Sequence, residues 1–70
     1  MILTPEDLKA ARHQLGWSLA EMAEALRMEG DPKNAATRIR EIEDGRRPLT
    51  GPIAVSVEAF LSGFQPEHLR

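Results

Sequence analysis

The sequence predicts an all-α domain, a compact bundle of four or five short helices. Three observations point there. Glycine and proline punctuate the 70 residues at helical spacing. No segment shows the period-two alternation of a half-buried strand. Each apolar run is preceded by a residue type that opens helices: Thr4, Ser18, Asp31 and Thr50 in turn.

The first helix opens at Thr4 as N-cap, with Pro5 at its first position and Glu6 and Asp7 near its positive end. Leu8, Ala11, Arg12 and Leu15 share a face, and Gly16 is placed to end the helix in a left-handed cap. Ser18 and Glu21 form an S-x-x-E capping box ahead of Met22, Ala23 and Leu26. Trp17 just precedes that cap, so it and Met22 are candidates for a hydrophobic staple, and Trp17 reads as structural rather than as a stacking platform. After the link "RMEGDPKN" a third helix begins either at Asp31 and Pro32 or, in a shorter version, at Asn34. It runs to about Asp44, with Gly45 as stop. Thr50 caps the fourth helix, Pro52 sits in its first turn, and Ile53, Val57, Phe60, Leu61 and Phe64 form its apolar stripe. Gly63 and Pro66 end it. Residues 1–64 therefore read as one domain and 65–70 as a C-terminal tail, with no internal repeat or second domain.

Composition narrows the function classes. With 41% apolar residues the chain is expected to be globular. It has no cysteine, hence no disulfide framework and no thiolate metal site. His13 and His68 lie at opposite ends, so no pair has metal-ligand spacing. There is no tyrosine and no glycine-rich phosphate cradle, and the acids are scattered as caps and surface charges, so an enzyme, a metal or a cofactor is not expected. No apolar run approaches the roughly 18 residues of a membrane span, and the N-terminus lacks a signal-peptide core. A soluble cytoplasmic protein without a membrane partner is the expectation.

The net charge of −2 argues against a polyanion partner until its distribution is considered. Residues 1–31 hold three cations against six acids, and residues 48–70 hold one against two. Residues 32–47 reverse the balance, with Lys33, Arg38, Arg40, Arg46 and Arg47 against Glu41, Glu43 and Asp44. At about 100° per residue, Ala35, Ile39 and Ile42 make a narrow apolar stripe on the third helix, with Glu43 at its edge. Lys33, Asn34, Thr37, Arg40 and Glu41 cluster on the opposite side. A polar face of this kind is usually no more than a surface. Here a short capped helix precedes it and a glycine and two arginines follow, which is the helix-turn-helix arrangement that lays its second helix in the major groove of DNA.

Two segments carry a family likeness. "LGWSLAEMAEAL" resembles the "LGxSQxELAxxL" segment of the Cro/repressor-type (XRE-like) helix-turn-helix proteins, and "RIREIEDGRR" resembles their "TIxxWExGxR" segment, with Ile39, Ile42, Glu43 and Gly45 on the matching positions. The likeness covers roughly residues 4 to 62 and implies a lambda-repressor-like DNA-binding fold. It further implies a structural ion pair between Arg12 and Glu43 that locks the first helix to the third. Leu19 stands where the family usually has a phosphate-binding glutamine. The interval from Leu26 to Ile42 also exceeds the family's usual turn, which means either a longer loop or a third helix starting at Pro32.

Lys33, Asn34, Thr37 and Arg40 are the candidates for base contacts, since arginine suits guanine, asparagine adenine and the threonine methyl thymine. Glu41 either accepts from a cytosine amino group or pairs with a neighbouring arginine, the second being preferred. Ser18, Arg38, Arg46, Arg47 and Thr50 are the candidates for phosphate contacts. For Arg38 structural packing is an alternative, and for Arg46 and Arg47 simple neutralisation of the negative helix end. The partner implied is double-stranded DNA with a palindromic operator, bound by a homodimer. Phe60, Leu61 and Phe64 are the candidate two-fold interface, because the fourth helix carries more apolar bulk than a small core needs; a core role is the alternative. The expected function is a sequence-specific transcriptional repressor or autoregulator, of the kind the family supplies to phages, mobile elements and toxin–antitoxin operons. The competing reading is an antitoxin-like module that holds a protein partner, with DNA binding secondary.

Overall fold

Local hydrogen bonds at the helix ends decide where each element starts. The computed structural model describes residue 2 and residues 4–64. Within them α1 spans Pro5–Leu15, α2 Leu19–Ala25, α3 Pro32–Glu43 and α4 Gly51–Leu61, with no strand among the described residues. The tail at 65–70, with Pro66 and His68, lies outside them. Ser18 Oγ accepts from the Glu21 amide at 3.1 Å while the Glu21 carboxylate accepts from the Ser18 amide at 2.8 Å, so the S-x-x-E box is complete. Thr4 and Asp7 make the same reciprocal pair, with aspartate in place of glutamate. Asp31 opens α3 by accepting from the Lys33 amide at 2.8 Å, which settles the early start at Pro32 over the shorter helix capped by Asn34. Thr50 caps α4 with its backbone alone; its side chain makes no capping bond.

All four helices end the same way. The residue just past the C-cap turn adopts a left-handed conformation, and the following amide reaches back to a carbonyl one turn inside the helix. Gly16, Gly45 and Gly63 fill that position after α1, α3 and α4. After α2 it falls to Arg27, at φ 56°, the one non-glycine residue with positive φ among those described. Its amide donates to the Glu24 carbonyl at 2.9 Å, and the Met28 amide to that of Ala23 at 3.1 Å.

Each helix sends one side chain completely out of water: Leu8, Met22, Ile39 and Val57. Burial of such a side chain is worth about 1.5–3 kcal/mol relative to exposure, so four of them at one point tie the four elements together. Ala11, Ala23, Ala25, Ala35, Ile42 and Phe60 complete the centre, and Ile2 joins it from outside the helices. The Ile2 amide donates to the Glu58 carboxylate at 2.8 Å, fastening the start of the chain to α4. Trp17 is half-buried, its ring set edge-on to Phe60 with centroids 5.3 Å apart. It is structural, as expected, though Phe60 is its ring partner. Met22, the other half of the expected staple, lies fully buried.

The stripe on α4 departs from expectation. Phe60, assigned to a two-fold interface, is only 5% exposed and belongs to the core of its own chain. Leu61 is half-buried against that core, and Phe64, 60% exposed, stacks on Phe60 with centroids 6.0 Å apart. Four short helices leave a centre that alanines alone cannot fill, so the ring of Phe60 is drawn into it.

Candidate nucleic-acid interface

The third helix is positioned by the packing of its inner face. Ala35, Ile39 and Ile42 are buried, and α2 packs along α3 more extensively than any other helix pair. At its far end Glu43 is locked to α1. Its two carboxylate oxygens accept from Arg12 Nε at 2.7 Å and Arg12 Nη2 at 3.1 Å, and Arg12 Nη1 donates to the Trp17 carbonyl at 3.0 Å. The pair is a bidentate fork, 13% and 4% exposed, holding α3 to α1 and to the α1–α2 turn at once. This is the geometry implied for Arg12 and Glu43. His13, beside it, is exposed, with Nε2 at 3.4 Å from Arg12 Nη2.

With the inner face fixed, the outer face of α3 follows. Lys33, Asn34, Thr37 and Arg40 are all exposed. The side chains of Lys33, Asn34 and Arg40 make no hydrogen bond or ion pair to another described residue. Thr37 Oγ1 donates to the Lys33 carbonyl at 3.0 Å, so its hydroxyl is turned back on its own helix. Lys33, Thr37 and Arg40 border one groove of about 300 Å³, together with Ala36 and with Leu19 from the start of α2. Asn34 is outside that groove, in the exposed first turn.

The phosphate candidates divide. Arg46 is exposed, and its side chain carries no intramolecular partner among the described residues. Arg47 Nε donates to Glu41 Oε1 at 2.7 Å, which places Glu41 in the pairing role expected for it. Arg47 must give up that pair to reach a phosphate, so Arg46 is the readier cation. Thr50 is exposed with its hydroxyl unused in capping, at the start of α4. Ser18 is more constrained than expected: the Glu21 carboxylate already takes its amide, and an anion there would meet that negative charge. For Arg38 the structure favours the packing alternative over a phosphate contact. Its guanidinium donates to the Glu29 carbonyl in the α2–α3 link, and its Nε is buried without a partner. Half-buried on the flank of α3, it holds the link in place and is not presented to a phosphate.

Leu19 and Ala36 are the groove residues that sequence reasoning missed. In the sequence Leu19 stands out only as a lost glutamine, and Ala36 falls between the buried stripe and Arg40 on the helix. The described residues contain no cluster of three or more histidine or acidic side chains placed to hold an ion. None of their helices is long and apolar enough to cross a membrane. Comparison of the chain with family models, curated proteins and solved structures finds no match.

Proposed function

We propose that this chain is a sequence-specific DNA-binding regulator, with α2 and α3 acting as a helix-turn-helix of the Cro/repressor type and α3 entering the major groove. One observation carries the reading. The exposed side of α3 presents three donor-bearing side chains, Lys33, Asn34 and Arg40, with no partner among the described residues, on a helix whose other side is fixed by burial and by the Arg12–Glu43 fork. Unspent donors on a rigid rod are what base-edge recognition requires. The local charge supports it: residues 32–47 are net positive in an acidic chain, so attraction is focused on one segment while acids elsewhere weaken indiscriminate adhesion. The likeness of "LGWSLAEMAEAL" and "RIREIEDGRR" to the XRE-like proteins points the same way.

In this reading Arg40 reads a guanine, Lys33 and Asn34 reach bases from the first turn of α3, and Arg46, then Arg47 and Thr50, grip the sugar-phosphate chain. Few cations are available per copy, so two copies on a palindromic operator are needed for tight binding. Leu61 and Phe64 are the part of the expected two-fold surface that the core leaves available. Sitting on a promoter in this way, the protein represses by excluding polymerase. Arg40→Ala tests the assignment, since Arg40 is exposed and its loss leaves the fold intact. The change is expected to weaken binding to the preferred duplex by about 1–3 kcal/mol and to relax preference at one base pair. Uniform weakening across all sequences would reduce Arg40 to a phosphate contact, and unchanged binding would sink the reading.

A further inference from the structure

The groove beside Arg40 has a wall that hydrogen bonding to DNA does not use. Leu19 and Ala36, both half-buried, line it together with the cations. Thr37 adds to that wall, because its hydroxyl is committed to the Lys33 carbonyl and its γ-methyl is the group left to meet a partner. A phosphate here would find donors only in Lys33 and Arg40 at the border, and its remaining oxygens would lose water against Leu19 and Ala36. Among the groups that base pairs show in the major groove, the thymine C5-methyl is the apolar one, and arginine is the commonest reader of guanine O6 and N7.

We infer that this groove reads a thymine set beside a guanine, with Arg40 on the guanine and Leu19, Ala36 and Thr37 packed around the thymine 5-methyl group. The inference rests on the DNA-binding reading above and narrows it to a class of base step. It also gives Leu19 a role: where a glutamine would bond a phosphate, a leucine makes an apolar contact with a base.

The test uses the full chain and the duplex that emerges from selection out of random DNA. Each thymine in that duplex is replaced singly by deoxyuridine, which deletes the methyl group and leaves the base-pairing edge unchanged. At one thymine adjacent to a guanine the expected loss is about fourfold in affinity, the fold-change for burying one methyl-sized group. In Leu19→Ala, and independently in Thr37→Ser, which keeps the hydroxyl, that loss is expected to shrink to less than about twofold. A selected duplex that binds tightly yet tolerates deoxyuridine at every thymine overturns the inference and leaves the DNA reading standing. A fourfold loss that persists undiminished in both variants also overturns it, because the methyl group is then held by other residues. If no duplex is preferred at all, the DNA-binding reading itself has failed.

Discussion

Replacing Glu43 with alanine leaves the Arg12 guanidinium, 13% exposed, facing a space its partner has vacated. The cost lies less in the lost attraction than in the stranded charge, and removal of one member of such a pair typically costs about 3–5 kcal/mol. Glu43→Ala is therefore expected to lower the urea midpoint steeply, while Arg12→Met combined with Glu43→Leu recovers much of the loss. If the single change costs less than about 1 kcal/mol, water reaches the fork freely and it is not what fixes α3. This pair was legible in the sequence, but through family likeness; spacing alone puts Glu43 merely at the edge of a stripe. Phe60 and Phe64 show the opposite case. Four positions apart in the sequence, on what reads as one stripe, they look interchangeable, yet one is core and the other 60% exposed. What separates them is the helix end: α4 stops at Leu61 and the left-handed Gly63 turns the chain before Phe64, which the apolar stripe does not record.

At the scale of the element, the helices were legible because their boundaries depend on contacts three or four residues apart. Ser18 with Glu21 and Asp31 with Lys33 satisfy backbone groups within one turn, so the sequence carries all the information needed. The α2–α3 link was not legible in this way. Its conformation depends on Arg38, nine residues from the Glu29 carbonyl it binds, and on a left-handed Arg27 where glycine would have announced the turn. That residue gives a prediction for the element. A left-handed non-glycine residue costs about 1–2 kcal/mol, and glycine returns about 0.5–1 of this as extra unfolded-chain entropy. Arg27→Gly is expected to stabilise the protein by about 0.5–1 kcal/mol, read as a rise in melting temperature. A fall would mean that the Arg27 side chain makes a contact worth more than the strain. The groove at the mouth of α2 and α3 was half legible: its cations stood out as a polar face, whereas Leu19 and Ala36 join them only once two helices have packed.

For the whole molecule, the arrangement amounts to a division of labour among charges. Acids cap and surround α1 and α2, the Arg12–Glu43 fork is spent internally, Arg38 holds a link, and Glu41 keeps Arg47 occupied. Among the described residues, the cations left outward without a partner are Lys33, Arg40 and Arg46 on α3 and the turn after it, with Lys9 on α1 and Arg27 at the α2–α3 link standing apart. Selection of duplexes from a random pool by the full chain, at near-physiological salt, tests this account most directly. The expected result is a two-fold symmetric consensus bound at least about 10³ tighter than bulk competitor, with half-sites one helical turn apart, about 34–36 Å. Recovery of no consensus, with affinity that tracks only ionic strength, would contradict it.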